Sequence, residues 1–259
     1  MRPERTGGHV TLFGHRVPMM FSLLVWFALW EIVGRLGLVF LIPPFTEVML
    51  AMIDVVTSSR FAEAATITLQ AFAIGMALAL TVGIGTGFLM GRVRAIGQLM
   101  GMWVNIFESS PMTAIVPALM ALLGFGLPTM VFTVFIFSVW VIALDTQVGV
   151  ERVSTSLVEM GRSFGASRRD LHLKIIFFAA LPEILAGVRL GLIRGAKGVV
   201  IGQLLIAVVG VGYLFELYSR SFSMPEFWAL LIIVFAFAFM ASEAIAHLER
   251  RVAFYATSR

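Results

Sequence analysis

Residues 159–182, EMGRSFGASRRDLHLKIIFFAALP, decide how the rest of the chain is read, because they form a polar, basic insert in a very hydrophobic protein. Leu157, Met160 and Phe164 fall three and four residues apart, so a helix here carries one apolar stripe opposite Glu159, Arg162 and Ser163. Gly165 breaks that helix. Ser167 followed three residues later by Asp170 has capping-box spacing, which starts a second short helix whose Leu171, Ile175 and Phe178 share a face.

The surroundings of this loop are those of a membrane protein. Of 259 residues, 59% are hydrophobic and only 13% charged, and the mean hydropathy of +0.97 lies outside the range of ordinary soluble domains. A hydrocarbon core of ~30 Å and a helical rise of ~1.5 Å per residue require roughly 20 apolar residues per span. Six stretches meet this requirement: 19–41, 66–90, 96–123, 128–147, 183–209 and 227–247. The expected fold is therefore all-α and polytopic, one transmembrane domain over residues 1–259, with the loop at about 150–182. The first stretch follows Arg2, Arg5 and Arg16, but it is too long for a signal-peptide core and no small-residue cleavage site follows, so it reads as an uncleaved anchor.

Basic residues set the expected orientation. With the N-terminus inside, the inner segments hold Arg2, Arg5, Arg16, Arg92, Arg94, Arg152, Arg162, Arg168, Arg169, Lys174, Arg250, Arg251 and Arg259, and the outer loops hold Arg60 and Arg220. Both termini and the 150–182 loop then face the cytoplasm. The pI of 10.1 reflects this topology; its charges are scattered over several loops, which argues against nucleic acid as a partner. There is no cysteine, and His9, His15, His172 and His247 lack ligand spacing, so no metal site is expected.

Polar groups at membrane depth are expensive, at ~2.5–3.5 kcal/mol for a charge at a helix centre, so each needs a reason. Asn105, Glu108, Ser109 and Ser110 cluster immediately before Pro111, whose missing N–H loosens the helix, and with Met112 they read as the wall of a translocation path. The competing reading has Glu108 pairing with Arg194 or Lys197 to hold the bundle together. Asp145, with Gln147, ends the fourth stretch and is either solvated at the interface or part of the path. Arg189, Arg194 and Lys197 either line an inner vestibule or snorkel, snorkelling being the reading for Arg189. Glu31 and Arg35 form a local i,i+4 pair. Gly187, Gly191 and Gly195, continued by Gly198 and Gly202, make a small-residue face for a pore, a dimer seam or packing within the chain.

No catalytic set emerges. The Gly195-Ala196-Lys197-Gly198 stretch lacks the spacing and hydroxyl of a nucleotide-binding loop, so the chain is not expected to be an enzyme or to bind a cofactor.

The loop resembles the "EAA" loop of permease subunits of bacterial ABC importers: Glu-Ala-Ala, three residues, Gly, nine residues, Ile, one residue, Leu-Pro. Glu159, Gly161, Gly165 and Ile175 stand at the matching positions, with Met160-Gly161 in place of Ala-Ala and Phe177-Phe178 in place of the first Leu-Pro. Gly165-Ala166-Ser167-Arg168-Arg169 and the later Leu181-Pro182 are similar to the nitrate, sulfonate and taurine branch, as are Leu29-Trp30-Glu31, Leu41-Ile42-Pro43-Pro44-Phe45 and Glu249-Arg250-Arg251.

The resemblance implies a six-helix type I-like permease in the inner membrane, paired with a second copy and served by cytoplasmic ATPase subunits, which use ATP and Mg, and by an extracytoplasmic solute-binding protein. Glu159, Gly161, Phe164, Gly165, Ala166, Ser167, Arg168, Arg169 and Leu171 would then form the ATPase-coupling element, with Phe164 and Leu171 supplying apolar contact. The substrate would be a small anion such as nitrate, a sulfonate or taurine. An ATP-independent carrier or channel whose loop tethers a regulator is the alternative; the two related halves usual in such carriers are not evident.

Overall fold

The computed structural model of the protein describes residues 9–12, 15–206 and 208–257. Arg2, Arg5 and Arg259 of the charge asymmetry lie outside them. The chain forms two compact units, one of residues 1–58 with 217–233 and one of residues 59–216 with 234–259.

The first unit opens with an antiparallel hairpin of β1 (His9–Leu12) and β2 (His15–Pro18), after which every described element is helical, in keeping with the all-α expectation. Helix α1 (Met19–Arg35) follows, then a bend into α2 (Phe45–Thr57). Short polar bonds fix the bend. Trp30 Nε1 donates to the Pro43 carbonyl at 3.0 Å and Trp228 Nε1 to the Leu41 carbonyl at 2.8 Å, while the two indoles meet edge to face. Glu31 does pair with Arg35, at 2.6 Å, and also accepts from the Thr46 N–H and hydroxyl, so the carboxylate ties α1 to the first turn of α2. At Gly34 a Cβ would lie 2.5 Å from the Pro44 nitrogen, which explains a glycine facing the double proline.

The second unit is built on α6 (Leu127–Glu151), whose inward residues run as two buried clusters around Val134 and Ile142. Helices α3 (Ser59–Arg92) and α10 (Leu181–Ile206) pack along it. Both present glycines: a Cβ at Gly83 or Gly191 would fall within 3.0 Å of the Ile142 side chain, and one at Gly195 within 2.6 Å of the Ser138 hydroxyl, so only hydrogen allows this approach. The glycine face of the fifth expected span is thus used within the chain. Ser138 Oγ donates to the Gly191 carbonyl at 2.8 Å, and Gln203 Nε2 donates to Thr68 Oγ1 at 2.6 Å, joining α10 to α3 at a buried polar point.

Among the described residues, α3 and α6 are long and apolar enough to cross a membrane, and two bent pairs extend the number to four if each is one span. One pair is α4 (Arg94–Ser109) with α5 (Ile115–Leu123), which turn by 88° at the Ser110-Pro111 step expected to loosen the third span. The other is the loop helix with α10, bent by 62°. Helix α1, at 17 residues, is short for a crossing. The last expected span lies in α12 (Met224–Thr257), of which 224–237 form an apolar stretch. Neither α2 nor α11 (Gly210–Arg220) was expected from the apolar stretches.

Candidate functional site

The 150–182 loop folds as two short helices held by a glycine turn. Helix α7 (Thr155–Ser163) is capped by Ser154, whose hydroxyl accepts from the Leu157 N–H. It ends where the Gly165 N–H bonds the Arg162 carbonyl at 2.9 Å and the Ala166 N–H bonds the Gly161 carbonyl at 3.0 Å, the paired 5→2 and 6→1 bonds of a Schellman ending. Gly165 has φ +79, a value that any other L-residue resists. The second helix runs as α8 (Arg168–Asp170), a π-helical stretch (Leu171–Ile176) and α9 (Phe177–Ala179).

Ser167 is its cap and makes the expected box. Its hydroxyl accepts from the Asp170 N–H at 3.1 Å and donates to the Asp170 carboxylate at 2.5 Å. Lys174 Nζ sits 2.6 Å from the other carboxylate oxygen. The Lys174 ammonium first, and the Ser167 hydroxyl second, hold the Asp170 carboxyl below the usual carboxylate range; the same contact raises Lys174.

The apolar stripes divide between inside and outside. On α7 Gly161 is buried, Leu157 and Val158 are half-buried, and Met160 and Phe164 are exposed, Phe164 to 85%. A Cβ at Gly161 would collide with Ile175 and come within 2.9 Å of Leu171, which accounts for a glycine where the family loop has alanine. Leu171, expected at the docking surface, is 6% exposed and holds the second helix to α7 instead. Phe178, expected on the face of Leu171 and Ile175, points outward because the π turn, with the Phe177 N–H reaching back to the His172 carbonyl, shifts the register and buries Ile176 in its place. Ile176 joins Val150, Ala180 and Ile184 in a cluster with Val158 at its edge, so the loop is anchored to α6 and α10. With no proline at 178, the helix runs on to Ala179, and Leu181-Pro182 open α10.

Glu159, Phe164, Gly165, Ser167, Arg168 and Arg169 remain on the outside, with Ala166 half-buried. Arg162, Arg168 and His172 meet Arg92 of α3 around a cavity of about 510 Å³ behind the loop.

A second polar locus lies where α4 breaks. Glu108 stands in the last turn of α4, where the helix dipole opposes a carboxylate, and it pairs with Arg194 near the middle of the 26-residue α10. The side chains are 21% and 43% exposed. Asp145 of α6 interacts electrostatically with both, and its side chain lies against Gly187, where a Cβ would be 2.7 Å from the Asp145 Cβ. Phe107, next to Glu108, stacks on Trp140 of α6 with ring centres 4.4 Å apart and planes at 3°. The second Glu108 oxygen and the Trp140 indole nitrogen are buried without a hydrogen-bond partner.

Of the expected path residues, the structure thus unites Glu108 and Asp145 with Arg194. Of the others, Asn105 and Ser109 are exposed, Ser110 donates to the Ile106 carbonyl at 2.6 Å, and Met112 sits half-buried in the turn Met112–Ala114. Trp140 was not singled out in the sequence, where one tryptophan in an apolar helix carries no signal of the stack it makes.

Comparison with known proteins gives these loci their context. The sequence profile described as "Binding-protein-dependent transport system inner membrane component" matches residues 79–254. A probable ABC transporter permease protein of Brucella melitensis is 29% identical over 184 residues, 71% of this chain and 73% of that one. The nitrate import permease protein NrtB of Synechocystis is 28% identical over 186 residues, 71% of this chain and 67% of the relative. An inward-facing structure of the MetNI methionine ABC transporter superposes with a TM-score of 0.62 at 19% identity, covering 74% of this chain and 96% of that one, a likeness of fold. The chain belongs to the family of binding-protein-dependent transport system inner membrane components, the permeases of ABC importers.

Proposed function

We propose that the chain is the translocating subunit of an ATP-driven importer for a small anion, acting as two copies with cytoplasmic ATPase subunits and an extracytoplasmic binding protein. One observation carries the reading: the loop is clamped from within by Val158, Gly161, Leu171 and Ile176 while Phe164, Arg168 and Arg169 stand free on its outer surface. An exposed aromatic flanked by two arginines on a rigid mount is the composition of a binding hot spot. A solvated loop would need neither the clamp nor the naked phenylalanine.

In this reading the chain is one six-span domain with cytoplasmic termini, α8 to α9 is the coupling helix, and ATP with Mg is used by the partner. Closure of the ATPases moves the loop as a rigid element, and its anchorage to α6 and α10 carries the motion into the membrane. The half-exposed Glu108–Arg194 pair marks the path, because a charged pair on membrane helices faces water or protein rather than lipid. The nitrate-import relative supports a small anion as the cargo.

The test is affinity co-purification of the tagged chain from its native membrane, with mass spectrometry and an ATPase assay on the eluate, beside a Gly165→Pro, Arg168→Glu variant. An ATPase recovered with the parent and lost with the variant is the expected result. A partner-free chain that still transports would overturn the reading.

A further inference from the structure

Resting on the permease reading, we infer that Arg194 is the residue that recognises the transported oxyanion, and that Glu108 is a built-in stand-in which the substrate displaces. Arginine offers a planar fork of donors suited to two oxygens of one carboxylate, sulfonate or nitrate group. Glu108 answers that fork incompletely: one oxygen meets Nη1, and the other is buried with no donor. A carboxylate kept only to hold two helices together would have both oxygens satisfied, as Glu31 does with Arg35 and Thr46. The residue preceding Glu108 is held in place as well, since Phe107 stacks on the Trp140 ring of α6.

The half-answered fork favours one exchange: Glu108 swings away, and an incoming oxyanion takes the Arg194 guanidinium with two of its oxygens. The charge opposite Arg194 is unchanged by the swap, so no bare guanidinium is left at membrane depth when the site is empty. Glu108 can move because it is the penultimate residue of α4, immediately before the 88° break, whereas Arg194 lies within the continuous α10 packed on α6. The ligand class is a small anion with at least two acceptor oxygens.

The experiment is equilibrium binding of ³⁵S-labelled ethanesulfonate to the full chain alone in nanodiscs, with ethylammonium as competitor, for the parent, Glu108→Gln, Arg194→Gln and Arg194→Lys, each checked for monodispersity. Weak binding by the parent and about tenfold tighter binding by Glu108→Gln are expected, the factor by which apparent affinity is reduced when the competent state is one-tenth populated. Arg194→Gln should not bind, Arg194→Lys should bind more weakly than the parent, and ethylammonium should not compete. Unchanged or weaker binding by Glu108→Gln, full binding by Arg194→Gln, or competition by ethylammonium would each overturn the assignment. Because no ATPase or binding protein is present, the outcome is separate from the co-purification that decides the permease reading.

Discussion

Glycine is used in opposite ways in the α3–α6–α10 core and in the 150–182 loop. In the core it removes side chains so that helix backbones meet, and the helices' inward faces are consumed: a Cβ at Gly191 would lie 2.6 Å from Ile142, and one at Gly87 would meet the Ala143 carbonyl and lie 2.7 Å from Thr146. In the loop Gly161 does the same on one side only, and Gly165 turns the chain so that Phe164, Arg168 and Arg169 are left outside. The difference separates a mount from a handle. Contacts that are complete within the chain resist deformation, and contacts left incomplete on a rigid base are available to another protein.

The comparison breaks most severely at its core side. Gly191→Leu should cost about 3 kcal/mol, the upper part of the usual overpacking range, because the new side chain meets Ile142 and the Ser138 carbonyl at 3.4 Å with no open side to relax into. Fluorescence-detected size exclusion after graded heating should show an early loss of the monodisperse peak. Gly85→Leu on α3, where a Cβ meets nothing within 4 Å, should behave as the parent. Equal loss in both would mean that close approach is not what these glycines provide.

In the loop the corresponding break is Gly165→Pro. It removes the N–H that bonds Arg162 and imposes a negative φ where the backbone sits at +79, a local penalty of about 3 kcal/mol on the pattern of proline in helices. Because Gly165 is exposed and a side chain there would point into open space, the heating profile should hold while ATPase binding and coupled uptake fall more than tenfold. Gly165→Ala, at roughly 1–2 kcal/mol for the left-handed conformation, should lie between.

The handle is sharpened by two apolar residues seven apart. Phe164→Ala should leave the melting profile unchanged and weaken ATPase affinity about 30-fold, the equivalent of a hot-spot loss of about 2 kcal/mol. Leu171→Ala should instead destabilise the loop by about 2–3 kcal/mol through the space left beside Gly161. If the two exchange phenotypes, the faces have been assigned the wrong way round.

How much of this was legible follows from what periodicity can and cannot see. The apolar stretches gave α3 and α6, the proline at 111 gave the break in α4, and the Ser167/Asp170 spacing gave the cap, because each is a local property of chain chemistry. The buried face of α7 is not legible as a stripe because its central buried position is Gly161, which has no hydropathy to count, and Leu171 was placed with Phe164 at the docking surface although it is the residue that packs on that glycine. Phe178 was misplaced because a π turn changes the period that the reading assumed. Glu108 was legible as a costly charge, and Arg194 as its possible partner, but the Phe107–Trp140 stack beside them depends on the packing of α4 against α6, which no local spacing encodes.

The smallest effect concerns what fixes the handle's orientation. Asp170 has a lowered carboxyl pKa, so the stability it contributes is full above the ordinary value of about 3.9 and is lost as pH falls through the lower folded value. Lys174 has a raised pKa, so its contribution is full below about 10.4 and is lost only as pH rises through the higher folded value. Between these limits the pair does not titrate, and amide exchange across residues 171–176, corrected for its intrinsic pH dependence, should be flat from about pH 5 to 9. Protection should decline on further acidification, and Asp170→Asn should remove that decline while lowering protection at neutral pH. Both groups are solvent-facing, so high salt should shrink the difference between parent and variant. An unchanged exchange pattern in Asp170→Asn would assign the start of the second loop helix to the Ser167 cap and the Leu171 anchor alone.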